Sequence, residues 1–399
     1  MIEKTVLPSG WVIKPMTEVV TWGSGGTPKA TESQYYKSGD IPWLIIGDLN
    51  DGVVTKSQSK ITKLGLQNSS AKMIPAGTLM VAMYGSIGKL GITGIECCTN
   101  QAIAFAKELH GVSTKYMFYY MAMMKSKLIS MGKGGTQNNI SQTILKSLNV
   151  IVPPPEVQDN LVFRIEELFS ELDKAVETLQ TTKQQLAVYR QAVLKEAFAN
   201  ITSKKPLREI TSIVTSGSRG WAKYYADFGA RFIRITDLTR DCIVLKNDNI
   251  QYVSLPENVE GTRSRLYPND VLISITADLG SIALVPNGIE EAYINQHIAL
   301  VRFINTVQGE YMAWYLKSEW GQKDLLKNKR GGGKLGLGLD DIRNTPVPIV
   351  SNETAKATLE GIESRLSVCE SIEQIVDTAL AQADAMRQSI LKQAFEGRL

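Results

Sequence analysis

Three consecutive polar side chains, Thr136, Gln137 and Asn138, follow a pair of glycines in the segment GGTQNNIS at residues 134–141. The amide of a Gln or Asn can hydrogen-bond the edge of adenine bidentately in the major groove of DNA. The same residue types beside glycines also close turns, and both interpretations stay open. Basic and polar residues in both halves of the chain could contact phosphates or base edges in the same way. These further candidates are Thr27, Lys29, Lys89, Lys133, Ser218, Arg219, His297, Lys329, Arg330 and Lys334.

The motifs of self-contained DNA-modifying enzymes are missing from the sequence. A Walker A loop needs Ser or Thr after its Gly-Lys pair, but Leu335 follows Gly333-Lys334. An adenine methyltransferase needs Asn or Asp before Pro-Pro and an aromatic residue after it, to hold a flipped base. The proline run at residues 153–155 has neither flank, and no Pro-Asp dipeptide opens a nuclease motif. We therefore predict no catalytic residues and no cofactor bound by this chain.

The composition indicates a globular protein of more than one domain, with 399 residues of which 43% are hydrophobic and 21% charged. A formal net charge of +4 permits a polyanionic partner without demanding one. The 4 cysteines form no C-x-x-C pair and there are only 2 histidines, so we expect no metal site. No run of about 18 apolar residues and no apolar leader core occurs, which favours a cytoplasmic protein without a membrane partner.

The chain contains a tandem repeat of nearly 200 residues. The segment YRQAVLKEAFAN at residues 189–200 returns as MRQSILKQAFEG at residues 386–397. Further upstream, TNQAIA at residues 99–104 returns as INQHIA at residues 294–299, and Asp48-Leu49 returns as Asp237-Leu238. Since the order of these matches is preserved, two similar domains are expected, each with the same appendage.

The appendage of each repeat is predicted to be a long helix. Residues 156–199 follow three prolines and contain neither Gly nor Pro. Apolar residues recur at alternating steps of four and three in both repeats, as in a coiled coil. The predicted helix-pairing seam comprises Leu161, Ile165, Leu168, Leu172, Leu179 and Leu186 of the first helix and Ile362, Ile372, Val376, Met386 and Ile390 of the second. Docking of each apolar stripe on its own domain is the alternative.

Connectivity predicts that the two helices run antiparallel, because the first ends and the second begins at the second domain. The expected fold class is α+β, with two similar mixed α/β domains separated by a long antiparallel two-helix coiled coil and related by pseudo-twofold symmetry. We expect domain 1 at residues 1–153, helix 1 at 154–200, domain 2 at 201–350 and helix 2 at 351–399. Two similar domains on a rigid spacer suit a ligand with two related sites, and duplex DNA is such a ligand.

The two glycine-containing loops, SGGTPK at residues 24–29 and SGSRGW at residues 216–221, differ in sequence. If both loops contact DNA, the two half-sites differ as well. The expected target is therefore bipartite and asymmetric.

Several segments resemble the specificity subunits of type I restriction-modification enzymes. They are GGTQNNIS at residues 134–141, VIVPPP at residues 150–155 and RQSILKQAFEG at residues 387–397. The resemblance covers essentially the whole chain. It implies target-recognition domains that bind double-stranded DNA, and a scaffold for two methyltransferase subunits and for restriction (translocase) subunits. It also implies that S-adenosylmethionine, ATP and Mg are bound by those partners. The alternative is a protein-only coiled-coil assembly scaffold without sequence-specific DNA recognition.

The first prediction is that the length of the helix pair sets the gap between the two half-sites. Inserting seven residues after Thr182 and seven after Ala379 preserves the seam and lengthens the helix pair by about 10 Å. The preferred gap between half-sites should lengthen by roughly three base pairs, at about 3.4 Å per base pair, while both half-sites keep their sequences. Selection of bound duplexes from a random DNA pool measures this gap. Retention of the parental gap would show that the helices do not set it.

Overall fold

The computed structural model of the chain describes residues 7–132, 138–256, 262–330 and 335–399. The chain divides into two compact units. Unit 1 comprises Met1–Thr178 and Ala379–Leu399, and unit 2 comprises Leu179–Thr378. Each unit therefore contains one α/β domain and one segment of each long helix.

Unit 1 begins with a mixed α/β domain. Its strands are β1 Val12–Pro15, β2 Val20–Ser24, β3 Ile41–Leu44, β4 Gly52–Val54, β5 Lys60–Ile61, β6 Leu79–Ala82, β7 Leu90–Thr93, β8 Cys98–Thr99, β9 Ile103–Leu109 and β10 Asn149–Val152. Its short helices are α1 Met16–Val19, α2 Lys63–Gln67, α3 Thr114–Met123, α4 Lys125–Met131 and α5 Gln142–Lys146. The first long helix, α6, runs Pro155–Ala197.

Unit 2 contains the second mixed α/β domain. Its strands are β11 Lys204–Pro206, β12 Thr211–Ser216, β13 Tyr225–Ala226, β14 Ala230–Ile233, β15 Tyr252–Val253, β16 Val271–Ser274, β17 Ile282–Leu284, β18 Ala292–Ile294, β19 Ile298–Phe303 and β20 Pro346–Pro348. Its short helices are α7 Gln308–Lys317, α8 Glu319–Leu325 and α9 Leu339–Arg343. The second long helix, α10, runs Asn352–Phe395.

The two domains share the order of their central strands, which confirms the repeat read from the sequence. The main sheet has the order β2-β9-β6-β7-β4 in unit 1 and β12-β19-β16-β17 in unit 2. Each domain also has a small sheet with one parallel pair, β3 with β8 and β14 with β18. In each, the first strand pairs with the last, β1 with β10 and β11 with β20. The predicted α+β class is therefore confirmed.

The long helices begin and end where local chemistry favours it. Pro155 occupies the first position of α6, where the missing N–H costs no hydrogen bond. The Ser351 hydroxyl accepts a hydrogen bond from the Thr354 amide at the start of α10. Gly397, with a φ of 70°, follows the end of α10, because a left-handed residue there satisfies the last carbonyls.

Within each unit the two helix segments run antiparallel, as predicted. In unit 2, Lys183 pairs with Asp377 at 2.6 Å and Glu196 pairs with Arg365 at 2.7 Å. Later residues of α6 therefore pair with earlier residues of α10, as in two antiparallel helices. In unit 1, Arg387 of α10 pairs with Asp173, and its guanidinium lies 5.1 Å from the centre of the Phe169 ring of α6.

Most of the predicted seam residues lie on the packed faces of the helices. Leu161, Ile165, Ile362 and Val376 are buried, and the remaining members are half-buried apart from two corrections. Ile372 is 37% and Met386 53% exposed, so the prediction is wrong for both. A strict heptad assumes 3.5 residues per turn, whereas a straight α-helix has 3.6 and its inward positions drift along the sequence. The next residues, Glu373 and Arg387, face inward instead and pair with Arg190 and Asp173.

The end of each long helix completes the core of the unit that contains it. Phe395 packs edge-on against Tyr116 and Tyr120, with ring centres 5.3 and 5.1 Å apart. Phe198 packs in the same way against Tyr311 and Tyr315, at 5.4 and 5.5 Å. Both phenylalanines are fully buried, at 1% and 2% exposure. The docking of helix on domain is thus repeated in the two units.

The alanine substitutions Phe395→Ala and Phe198→Ala should each lower the free energy of unfolding by about 3–5 kcal/mol, because each leaves a cavity lined by two tyrosines. Phe163→Ala, at a residue 70% exposed, is the matched control and should change it by less than about 0.5 kcal/mol. Urea titrations of the three variants measure the differences. Equal stability of all three would contradict the packing described.

Candidate nucleic-acid interface

Three loops of unit 1 meet at the backbone of Met83, just beyond the end of β6. The Met83 amide donates to the Ala102 carbonyl at 2.8 Å, and the Met83 carbonyl accepts from the Ile140 amide at 2.8 Å. The next residue, Tyr84, pairs with Asn139 in an isolated antiparallel bridge. One residue therefore brings together the β6–β7 turn, the loop before β9 and the segment before α5.

Unit 2 repeats this joint at Ile275. Its amide donates to the His297 carbonyl at 2.9 Å, and its carbonyl accepts from the Leu337 amide at 2.9 Å. Thr276 pairs with Gly336, as Tyr84 pairs with Asn139 in unit 1. Because the joint uses backbone groups only, the side chains around it can differ between the repeats without breaking it.

A glycine at the end of β2 and one at the end of β12 bring a fourth loop against each joint. A Cβ atom on Gly25 would lie 1.9 Å from the Thr99 carbonyl oxygen, and one on Gly217 would lie 1.9 Å from that of Ile294. Both positions therefore admit only glycine. The glycine-containing loops at residues 24–29 and 216–221, aligned from the sequence, occupy equivalent places in the two units.

The Asp and Asn residues that recur in the two repeats close turns. The carboxylates of Asp48 and Asp237 accept from the amides of Ile45 and Arg234 at 2.8 and 2.7 Å. The side-chain oxygens of Asn100 and Asn295 accept from the amides two residues later, at 3.2 and 3.1 Å. These residues shape the loops, and the exposed side chains between them are the groups available to a ligand.

In unit 1 the structure brings Thr27 to Gln101, whose side-chain oxygen accepts the hydrogen bond of the threonine hydroxyl. Both side chains are exposed. Asn138 is exposed beside Asn139, at the joint with Tyr84. Thr27 and Asn138 therefore lie on loops that meet at one joint, and the exposed Gln101 is an addition to the predicted set.

Two of the predicted lysines of unit 1, Lys29 and Lys89, lie among the described residues and have different surroundings. Lys29 is exposed and pairs with Glu32 at 3.2 Å. Lys89 is half-buried at the end of the β6–β7 turn, where its amide donates to the Ser86 carbonyl. Lys29 is therefore the more accessible of the two to a phosphate.

In unit 2 the structure brings His297 to the turn between β16 and β17. The Nδ1 atom of His297 lies 2.6 Å from the Thr276 hydroxyl, and Nε2 lies 3.0 Å from the Gln296 amide nitrogen. Ser218 pairs with Asn295 in a parallel bridge, and the exposed Arg219 follows it. His297 is thus half-buried with partners on both ring nitrogens.

Arg330 belongs to the same cluster through its backbone. Its amide and carbonyl both bond to Gly336, at 3.0 and 2.8 Å, and Gly336 pairs with Thr276. The guanidinium binds the buried carboxylate of Asp341 at 2.8 Å and is otherwise exposed. Lys329 is exposed one residue earlier. The predicted residues Lys133, Thr136, Gln137 and Lys334 lie outside the described residues.

Sequence reasoning singled out Lys89 on the β6–β7 turn but missed Tyr84 on the same turn and Thr276 on the equivalent turn of unit 2. The signal was present, because MYGSIGKLG at residues 83–91 aligns with ITADLGSIA at residues 275–283. The third residue of each turn is left-handed, Gly85 with a φ of 63° and Ala277 with a φ of 57°. A left-handed alanine is strained, whereas a left-handed glycine is not.

In the part of the chain that the structure describes, no three His, Cys, Asp or Glu side chains are grouped to hold a metal ion. Among the same residues, no helix has the length and apolar character needed to cross a bilayer.

Comparison with known proteins finds similarity to DNA specificity proteins. Residues 8–187 match the family model described as the type I restriction modification DNA specificity domain. The chain is 23% identical over 422 residues to the type I restriction enzyme EcoKI specificity subunit of Escherichia coli K12, covering 98% of this chain and 90% of that protein. It is 22% identical to the StySPI specificity subunit of Salmonella potsdam, with the same two coverages.

Solved structures share the fold. A chain from a study of complex assembly and conformational transition of the type I R-M system matches with a TM-score of 0.76 at 16% identity, covering 99% of this chain and 100% of that one. The HsdS subunit from Thermoanaerobacter tengcongensis matches with a TM-score of 0.53 at 15% identity, covering 100% and 99%. These similarities support the predicted two-domain architecture with long helices.

Opposite stability effects are expected at the equivalent left-handed positions. Gly85→Ala should destabilise the protein and Ala277→Gly should stabilise it, each by about 0.5–1 kcal/mol, because strain outweighs the entropy of the unfolded chain. Gly361→Ala is the control. It lies within α10 with open space around it and should stabilise by about 1 kcal/mol. Thermal unfolding measures all three, and a destabilising Ala277→Gly would contradict the strain.

Proposed function

Since the chain belongs to the family of type I restriction-modification specificity subunits, we propose that it recognises a bipartite, asymmetric DNA target and scaffolds methyltransferase and restriction subunits. It is a specificity subunit and not an enzyme, and on this proposal it acts in the cytoplasm. S-adenosylmethionine, ATP and Mg would be bound by the partners. The observation that carries the proposal is the repeated loop joint, with one backbone arrangement and different exposed side chains in the two units.

The exposed groups of the two joints favour different bases. Unit 1 presents the hydroxyl of Thr27 and the amides of Gln101 and Asn138. Amides pair well with adenine in the major groove. Unit 2 presents the guanidinium of Arg219 beside the half-buried Gln296 and His297. Since Arg is the usual bidentate partner of guanine, two unlike half-sites are expected.

Recognition by unit 2 is tested with Arg219→Ala, using the full-length chain assembled with its methyltransferase subunits. The variant should lose about 1–3 kcal/mol of discrimination at one base pair of one half-site, while the other half-site keeps its preference. The duplexes enriched from a random DNA pool report both half-sites at once. Arg231→Ala is the matched control, because its guanidinium is tied to Asn247 and to the Lys246 carbonyl.

Failure of the parental complex to enrich any bipartite sequence would contradict the proposal. Retention of DNA that does not depend on salt would argue in the same direction, because phosphate contacts release counterions and weaken as salt rises. That outcome would favour the protein-only scaffold.

An exposed apolar stripe on α10 supports the scaffolding role. Val368, Ile372 and Ile375 are 57%, 37% and 67% exposed in unit 2. Their spacing of four and three places them on one helix face, next to the face that packs against α6. An apolar helix face exposed in one chain is suited to packing against a partner helix.

Unit 1 offers a second surface for a partner, a groove of about 940 Å³ between the domain and its helix segments. Phe118, Ile129, Phe169 and Leu391 contribute apolar surface, and charged side chains of α3, α4, α6 and α10 surround them. A groove with an apolar floor and a charged rim has the composition of a protein-binding site.

Ile375→Asp should weaken co-purification of the methyltransferase subunits at least tenfold, because it places a charge in the centre of the stripe. Gln374→Asp introduces the same charge at the adjacent exposed position and is the matched control. Size-exclusion chromatography with light scattering measures the assembled fraction. Equal assembly of both variants would exclude the stripe as the partner surface.

A further inference from the structure

The loop that follows β14 in unit 2 contacts the β16–β17 turn through Arg240. The Nε atom of Arg240 donates to an oxygen of Asp278 at 3.0 Å, and Nη2 donates to the same carboxylate and to the Leu279 carbonyl at 2.9 Å. Asp278 and Leu279 directly follow the left-handed Ala277. The guanidinium therefore holds both the side chain and the backbone of the turn.

A buried lysine fixes the loop from which Arg240 extends. Lys317, the last residue of α7, is 6% exposed, and its ammonium donates to the carbonyls of Thr239 and Cys242 at 2.6 and 2.7 Å. Burial lowers the pKa of Lys317 to about 8. The neutral amine still has two N–H groups for the two carbonyls, so loss of the proton leaves the tether intact. Arg240 is therefore held between two anchored carbonyl groups.

The turn held by Arg240 is part of the proposed DNA interface. Thr276 precedes Ala277, bonds His297 through its hydroxyl and pairs with Gly336. A shift of the turn therefore moves the His297 ring and the segment before α9 together. Arg240 reaches this cluster only through the turn in the contacts described.

In unit 1 the residue equivalent to Arg240 carries the opposite charge. Asp51 occupies the position of Arg240 in the repeat, and its carboxylate accepts from the Leu90 amide at 2.7 Å and pairs with Lys125 at 3.0 Å. Asp51 therefore binds Leu90, the first residue of β7, and neither of these two bonds reaches the turn itself. The turn of unit 1 has Gly85 at its left-handed position, where no strain must be held.

The strain at Ala277 explains why the turn of unit 2 needs contacts from residues outside the turn. A left-handed alanine persists only where its surroundings fix it, and Arg240 and Gln322 supply contacts on that side of the turn. Arg240 and Asp278 are each about half exposed, at 53% and 52%, so their ion pair contributes little to overall stability. The ion pair instead fixes the local geometry of the turn.

We propose that Arg240 is a positioning residue for DNA recognition by unit 2, because it holds the Ala277 turn in the conformation that places Thr276 and His297 at the interface. The inference rests on the proposed function and deepens it. Base contacts depend on placement within a hydrogen-bond length, so a relaxed turn lowers discrimination at the half-site read by unit 2.

The test uses the full-length chain assembled with its methyltransferase subunits and a random DNA pool. Arg240→Ala and Asp278→Ala break the same pair from opposite sides, and each should reduce base discrimination at one half-site about tenfold, with the other half-site unchanged. The reversed pair, Arg240→Asp with Asp278→Arg, restores the ion pair but not the hydrogen bond to the Leu279 carbonyl, so it should restore only part of the discrimination. Arg164→Ala, which breaks a similarly exposed ion pair with Glu167 in unit 1, should leave the half-site affected by Arg240→Ala at its parental preference.

The outcomes separate positioning from direct contact. If Arg240 bound a phosphate itself, Arg240→Ala would weaken all sequences equally and reduce the salt dependence, and Asp278→Ala would not reproduce it. That result overturns the proposal, as does unchanged discrimination in Arg240→Ala. Thermal unfolding within about 1 °C of the parent, as expected for an exposed ion pair, shows that folding is not the cause. A parental complex without bipartite preference would instead refute the proposed function.

Discussion

Phe395 lies four residues from the end of the chain, yet it is buried against Tyr116 and Tyr120 of α3. The hydroxyls of these tyrosines donate to the carbonyls of Ile151 and Asn149 in β10, the strand that leads into α6. Burial raises the pKa of both phenols, so they remain donors. One aromatic cluster thereby joins the domain, the start of α6 and the end of α10. Because Phe198 forms the equivalent cluster with Tyr311 and Tyr315, each unit fixes its helix segments to its own domain.

The loops of the candidate interface depend on that rigid frame and are joined to one another by a few backbone contacts. Their meeting points are backbone hydrogen bonds at Met83 and Ile275, together with close approaches at Gly25 and Gly217 that no side chain could permit. Backbone joints leave the exposed side chains free to change. Thr27 can thus stand where the other repeat has Arg219 without altering the loop arrangement. This separation of support from recognition is the physical basis for the proposal that two similar units read two different half-sites.

The repeats also differ in the residues that support the β6–β7 turn of unit 1 and the β16–β17 turn of unit 2. An alanine in place of a glycine gives the turn of unit 2 a strained residue, and a guanidinium takes the place of a carboxylate beside it. The buried Lys317 then serves a loop whose counterpart is held by Asp51 and Lys125. Since an exposed ion pair adds little stability, the value of this arrangement lies in the geometry of the turn. Duplicated domains can therefore diverge in the residues that support a loop as well as in the residues that are exposed to a ligand.

The sequence by itself determined the repeat, the two domains, the long helices and their antiparallel direction, because these follow from self-similarity, uninterrupted helical pattern and connectivity. It also showed that Asp48, Asp237, Asn100 and Asn295 recur in the two repeats, and the structure assigns them turn-closing hydrogen bonds to partners two or three residues away. Only the tertiary structure decided which seam positions face inward, since a drift of 0.1 residue per turn turns Met386 outward and Arg387 inward. Only it brought Thr276 to His297 and Arg240 to Asp278, because residues 21 and 38 positions apart meet through sheet pairing that no local pattern encodes.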